Sequence, residues 1–366
     1  MIIRLSHSRG YRSALTMGAA LAMVALVGAP AASARGRDDD GYRQVNLVSD
    51  QVGGATVTDP HLVNAWGLSQ GPATPVWVSD NGTDVSTLYT GAGVGQNLAV
   101  VPLVVAVPGG APTGQVFNGS SAFVLSNGLP ARFIFAGEDG SVSAWNPQLT
   151  PRTSAVTVAT VPGAVFKGIT EVTTSAGSWL LAADFGHGRI ERFDAAFHPV
   201  ALANGAFTDR RLPVGYAPFN VAAIEGRVFV SYALRGAGGR DDVKGAGHGF
   251  IDVYSPTGRL LDRFARRGVL NSPWGLAIAP QGFGEFTGDL LVGNFGDGRI
   301  HAFDPRSGEL DGVLRAPDGS PIVIDGLWGL LPGNGTSAAT SDLWFSAGPD
   351  GETHGLLGVI RAASHD

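Results

Sequence analysis

The sequence predicts an all-β, six-bladed propeller of NHL-like type, and three observations carry that expectation. A unit of about 50 residues recurs six times. Each copy alternates β-branched and aromatic residues between Gly, Asp and Asn turns, the chemistry of short hairpins. Beyond the first 34 residues, no stretch keeps a 3.6-residue apolar period. Four short strands in each unit of about 40–50 residues is the pattern of propeller blades.

The strand–turn–strand core of the unit reads LLAADFGHGRIERFD at 180–194 and LLVGNFGDGRIHAFD at 290–304. Weaker copies are VWVSDNGTDVSTLY at 76–89, FIFAGEDGSVSAWN at 133–146 and LWFSAGPDGETHGLLGVI at 343–360. The sixth copy is split into VFVSY at 228–232 and GFIDVYS at 249–255. A second motif precedes each core: AWGLS, FNGSS, FKGIT, FNVAAI, PWGLAIA and LWGLL. Aligned on Gly67, Gly119, Gly168, Val221, Gly275 and Gly329, these motifs are spaced by 52, 49, 53, 54 and 54 residues. The last unit runs out after a third strand near Ile360. The segment 42–48 is therefore expected to supply the missing outer strand and close the ring with the two chain ends, leaving no exposed sheet edge.

The chain's first residues follow a different pattern. Arg4, Arg9 and Arg12 precede an apolar run over 14–29, then Pro30 and Ala32-x-Ala34, the parts of a secretory signal peptide. The run is shorter than the roughly 20 residues that span a bilayer. The expected division is a signal peptide at 1–34, a flexible charged segment at 35–41 and one propeller domain at 42–366. The mature protein is expected to be secreted or periplasmic after cleavage near Ala34, monomeric and not inserted in a membrane. There are no cysteines among the 366 residues, which excludes disulfides, thiol nucleophiles and Cys-ligated zinc. A net charge of −6 with only Lys167 and Lys244 as lysines provides no basic field for nucleic acid.

AADFGHGRIERFD and VGNFGDGRIHAFD resemble the core of NHL repeats. Together with NAWGLS, DDVKGAGHGFIDVY, SPWGLAIAP and AGPDGETHGLLG, they resemble an uncharacterised family of exported bacterial NHL-like propellers across nearly all of 42–360. Some members of that family end in a PEP-type sorting tail. No such tail precedes Asp366, so anchoring by that route is not implied. The resemblance implies a fold and an export address, but no activity and no functional residues.

Innermost propeller strands line the central channel, with side chains alternating along them. The residues just before the six alignment points are Trp66, Asn118, Lys167, Asn220, Trp274 and Trp328. They are expected to form a ring at the channel mouth, aromatic on one half and polar on the other, suited to an amphipathic ligand. The alternative is that the tryptophans pack between blades. Asp80, Asp184 and Asn294 end equivalent second strands; they either hold a divalent cation such as Ca2+ or start β-turns. The insertion at 235–249, with Arg240, Asp241, Asp242, Lys244 and His248, is either a lid over the mouth or a surface loop. His187, His248 and His354 read as turn residues.

No G-x-S-x-G, H-E-x-x-H or P-loop motif occurs. Asn220 resembles the metal-ligating asparagine of sugar-lactonase propellers, but Trp274 and Trp328 stand where acidic ligands would be sought. Two functions stay open. One is a binder of a small molecule, carbohydrate, peptide or envelope protein at the channel face. The other is a metal-assisted hydrolase, lactonase or lyase using Asn220 with Asp80, Asp184 or Asn294, with Lys167 as an electrostatic aid.

Overall fold

Six sheets follow one another along the chain, antiparallel except for the short edge strand Val57–Thr58 that runs parallel to Tyr42–Ser49 in the sixth; each opens with a strand that packs on the opening strand of the next, and the sixth packs back on the first. The computed structural model describes residues 41–93 and 96–363, all within the compact unit Asp38–Asp366. The signal peptide expected at 1–34 and most of the charged segment at 35–41 lie outside the described residues.

Blade 1 is Ala65–Ser69, Val76–Asp80 and Val85–Thr90, with an outer edge broken into Ala99–Val100 and Val105–Ala106. Blade 2 is Pro112–Phe117, Phe133–Gly137, Ser141–Trp145 and Val156–Thr160. Blade 3 is Phe166–Thr174, Gly177–Asp184 and Arg189–Phe193, its outer strand reduced to a bridge between Phe193 and Pro199. Blade 4 is Tyr216–Ile224, Arg227–Leu234, Gly249–Tyr254 and Leu260–Arg266. Blade 5 is Pro273–Ile278, Leu290–Asn294, Ile300–Phe303 and Leu310–Val313.

Blade 6, Leu327–Pro332, Leu343–Ala347 and Leu356–Ala362, takes its fourth strand from Tyr42–Ser49. The two chain ends pair antiparallel from Tyr42 opposite Ala362 to Ser49 opposite Leu356. The closing strand is fastened at its start: Tyr42 stacks on Phe286 at 6.0 Å, and its hydroxyl accepts the Phe286 N–H at 3.1 Å. Burial pushes the Tyr42 hydroxyl up to about 12, so it stays protonated at neutral pH. The apolar core lies between blades, as facing sheets require.

One irregularity recurs in all six blades. Pairing between the first and second strands slips between Ala65 and Leu68, Pro112 and Gln115, Phe166 and Gly168, Pro218 and Asn220, Pro273 and Gly275, and Leu327 and Leu330. Such a bulge carries an extra residue and re-aims a side chain. The extra residues are Trp66, Thr113, Lys167, Phe219, Trp274 and Trp328.

The bulge corrects the sequence alignment in two blades. Asn118 lies past the end of the first strand of blade 2, where Thr113 holds the equivalent place. Its amide donates to the carbonyls of Ala122 and Ala131 at 3.0 and 2.9 Å, and its oxygen accepts the Ser120 N–H at 2.8 Å, a loop-shaping role. In blade 4 the frame is one residue earlier: Phe219 matches Lys167, and Asn220 takes the position that Gly168 holds in blade 3. Close approach explains the glycines there. A Cβ on Gly114 would stand 2.7 Å from the Cα of Gly168, and one on Gly168 would stand 2.0 Å from the Asn220 side-chain oxygen.

Candidate functional site

Four of the six bulge residues, Trp66, Phe219, Trp274 and Trp328, fill the axis. Trp66 and Trp328 stack with ring centroids 3.6 Å apart, and Trp274 meets them edge-on at 6.2 and 5.8 Å. Phe295 stacks on the other side of Trp328 at 3.8 Å, while Phe219 approaches it at 5.8 Å. With Phe185 these rings form a single buried cluster, and the three tryptophans are at most 4% exposed. The indoles are therefore spent on one another, as a plug, and do not present faces to a ligand. Edge-to-face and offset contacts of this kind add about 0.5–1.5 kcal/mol each beyond burial.

Hydrogen bonds lock the plug across the ring. The Trp274 indole N–H donates to the Lys167 carbonyl at 3.1 Å, linking blades 5 and 3. The Trp328 indole N–H donates to the Asn64 side-chain oxygen at 3.1 Å. Asn220 donates to the Trp274 carbonyl at 2.7 Å and accepts the Val221 N–H at 2.8 Å. It lies further along the axis, lining a channel segment of about 300 Å³ with Gln115 and Thr170. The predicted ring is thus divided: Trp66, Trp274 and Trp328 form the plug, Lys167 stands at its mouth side, Asn220 lines the far side and Asn118 is elsewhere.

On the mouth side, a polar network lies over the aromatic floor. Buried Lys167 forms an ion pair with Glu138, and its Nζ lies 4.8 Å from the centre of the Trp66 ring. The amide of Asn81 donates to Glu138 at 3.4 Å, and that of Asn64 donates to Asn81 Oδ1 at 3.1 Å and to Glu352 Oε2 at 3.0 Å. Burial pushes the Glu352 carboxyl up, with the Asn64 hydrogen bond and the Lys167 charge opposing. Glu352 sits at φ +71°, a left-handed conformation uncommon outside glycine.

The 235–249 insertion reaches this network. Lys244 Nζ lies 3.9 Å from the centre of the Phe295 ring, a cation–π distance. Asp242 accepts the Ser272 hydroxyl; burial pushes its carboxyl up, with that bond and the Lys244 charge opposing. The Gly245 N–H donates to Asn271 Oδ1 at 2.6 Å, and His248 Nδ1 lies 2.8 Å from the Val243 carbonyl of its own loop. Of the five lid candidates, Asp242 and Lys244 join the mouth, while Arg240 and Asp241 stay at the exposed outer turn. Every blade contributes: Asn64 and Asn81, Glu138, Lys167, Asp242 and Lys244, Ser272, and Glu352.

Two of the cation candidates, Asp184 and Asn294, serve their own blades. Asp184 accepts the N–H groups of Val165 and His187 at 3.1 and 3.0 Å and pairs with His187 Nδ1 at 2.7 Å. Asn294 accepts the Asn271 N–H at 3.2 Å and donates to the Val269 carbonyl at 2.8 Å. Both thereby tie the end of a second strand to the segment entering the first strand of the same blade. Asp80 differs: it is fully buried with neither carboxylate oxygen hydrogen-bonded among the described residues, and burial pushes its carboxyl well above the usual range. These three stand on alternate blades. Among the described residues, Asp184, His187 and Glu191 bring three ligand atoms within 4.8 Å of one another, but Glu191 is also held by Arg189 at 2.6 Å. No cofactor is established by this geometry. His354 pairs with Asp50 at 2.8 Å, so the three histidines serve separate contacts.

Sequence reasoning missed Asn64, Asn81, Glu138, Ser272 and Glu352. A repeating signal existed for two of them. The position immediately after the second-strand partner of the bulge is Asn81, Glu138, Phe185, Ala233 and Phe295 in blades 1 to 5. All five face the plug or its mouth.

These features define a six-bladed propeller with a sealed axis and a polar mouth. The chain is 33% identical over 324 residues to uncharacterized protein R648 of Acanthamoeba polyphaga mimivirus, covering 86% of this chain and 78% of that one. It is also 33% identical over 326 residues to uncharacterized protein L690 of the same virus, covering 86% and 84%. The chain belongs to the family of these proteins. They are viral and uncharacterised, and support neither the bacterial nor the exported character implied by the sequence resemblance. No family model matches the chain. Among solved structures, virginiamycin B lyase from Staphylococcus aureus is similar, with a TM-score of 0.51, 11% identity, and coverage of 87% of this chain and 98% of that one. A streptogramin B lyase structure gives a TM-score of 0.50, 9% identity, and coverage of 87% and 97%. Both show the propeller fold.

Removing Glu138 leaves the Lys167 ammonium buried without its partner, which typically costs about 3–5 kcal/mol. Glu138→Ala is expected to lower unfolding free energy in urea by about 3 kcal/mol, and Lys167→Met added to Glu138→Leu to restore most of it. An unchanged midpoint for Glu138→Ala would show that the pair does not hold the mouth.

Proposed function

We propose that the protein is a binding propeller whose ligand, a carbohydrate or short peptide, docks at the mouth over the aromatic plug. One observation carries this reading: side chains from all six blades converge there, with Lys167, Glu138, Asn81, Asn64 and Glu352 bonded in one network and the Asp242–Ser272 pair and Lys244 close enough for their charges to act on it. The plug prevents threading, so a ligand approaches from the mouth side and is held by hydrogen bonds around the rim. A ligand rich in hydroxyl or amide groups matches an array of both charge signs better than a strongly charged one does.

Exposed Lys244 and half-buried Glu352 are the residues to alter, because neither builds the plug. In a glycan and peptide screen read by calorimetry, Glu352→Gln and Lys244→Ala are expected to weaken a hit at least tenfold with the melting temperature unchanged. A screen without saturable binding, or a hit indifferent to both changes, would overturn the reading.

A catalytic reading has its own support. Glu352 is a carboxyl pushed up by burial and held close to a lysine charge, as acid–base groups are. Turnover of the bound ligand, seen by mass spectrometry and lost in Glu352→Gln, would establish a lyase or hydrolase instead. About one tightly held divalent ion per chain would make that chemistry metal-assisted.

Export is proposed from the first 34 residues alone. No helix among the described residues is long and apolar enough to cross a membrane. N-terminal sequencing after expression in a secreting bacterium is expected to begin at Arg35; a secreted chain that keeps Met1 would contradict cleavage.

A further inference from the structure

A second cavity lies between blades 1 and 2, on the side of the ring away from the mouth. Phe117 ends a first strand, Trp77 and Phe133 stand at the starts of second strands, and Trp145 ends a third. All four therefore gather at the same rim. Trp77 stacks on Phe133 at 4.0 Å and meets Trp145 at 4.7 Å. The outer edge of blade 1 is broken between Val100 and Val105, where Pro102 has no N–H to give a ladder. The break leaves the inter-blade core open as a cleft of about 500 Å³, within the roughly 300–1,000 Å³ of small-molecule sites.

The cleft is almost wholly apolar, and the charged residues that line it are both arginines. The indole N–H of Trp145 is already taken by the Arg152 carbonyl at 2.7 Å, so that ring offers the cleft an apolar surface. Arg132 and Arg152 are among the residues that line the cleft. Arg132 donates to the carbonyls of Asn118 and Ser120 at 3.2 and 3.4 Å. Arg152 is exposed, and neither guanidinium forms an ion pair with a carboxylate among the described residues. An arginine with no carboxylate of its own is ready for a bidentate contact with one.

We propose that this cleft binds a small amphipathic monocarboxylate, its apolar body against Trp77, Phe133 and Trp145 and its carboxylate at Arg132 and Arg152. Charge complementarity selects the anion: a cation is repelled by the two arginines, and a neutral chain leaves both guanidinium groups without a carboxylate. The site is separate from the mouth and does not depend on the function proposed for it.

Decanoate, used below its micelle concentration, is the probe, with 1-decanol and decylammonium as neutral and cationic controls. Calorimetry is expected to show one saturable decanoate site per chain, with 1-decanol at least tenfold weaker and decylammonium not bound. Arg152→Ala is expected to weaken decanoate about tenfold, the scale of a hydrogen bond to a charged group. Val101→Trp, which fills the opening, is expected to abolish binding; if that variant fails to fold, Arg152→Ala decides alone. Absence of saturable binding, equal affinity for 1-decanol, or decanoate binding indifferent to Arg152→Ala would overturn the proposal.

Discussion

The close approach of six inner strands around one axis is the constraint on which the rest of this structure depends. Gly114 and Gly168 let neighbouring backbones meet where a Cβ would collide, so the strands lie too near one another for a wide channel. A bulge in each strand then adds one residue whose side chain is re-aimed. Four of those six side chains are aromatic, and Phe185 and Phe295 complete the filling. The outcome is a seal built from residues that a regular strand would have aimed elsewhere.

The seal also creates the mouth. Once the axis is filled, groups next to it are shielded from water yet lie beside one another across blades that are distant in sequence. Lys167 and Glu138 come from adjacent blades, Asn64 bridges to Glu352 across 288 residues, and the blade 4 insertion brings Asp242, leaving Lys244 exposed at the edge. Low dielectric strengthens each of these contacts and raises the penalty for leaving any one unpaired. The network is thus well ordered by the same packing that excludes water beneath it. Catalysis and binding would draw on the same groups, which is why the propeller fold alone does not decide between them.

Much of the architecture was legible in the sequence because blades repeat. The spacing of AWGLS-like motifs, the hairpin chemistry of AADFGHGRIERFD and the spare strand at 42–48 led to six sheets and to the pairing of Tyr42–Ser49 with Leu356–Ala362. The axis was legible only in part. A one-residue bulge leaves no mark in a period-2 pattern, so FNGSS passed for the blade 2 motif and APFNVAAI was read one residue late. With the frame taken from Pro218 opposite Tyr232 and Pro273 opposite Asn294, Phe219 falls beside Trp274 in the plug. Glu352 was hidden for another reason: a run of left-handed residues, Asp350, Gly351 and Glu352 itself, lengthens its turn and takes it out of the repeat.

Whether the axis is sealed is best tested by hydrogen exchange at the indole nitrogens, observed in the protein labelled with nitrogen-15 at its seven tryptophans. Trp179 offers an internal reference, since its indole bonds only to Thr174 on an exposed hairpin. The indole protons of Trp274 and Trp328, bonded across the ring and buried, are expected to persist for hours after transfer to deuterium oxide while that of Trp179 is lost at once. Loss of all three at similar rates would mean that water reaches the axis, and that the mouth opens into a channel and not onto a floor.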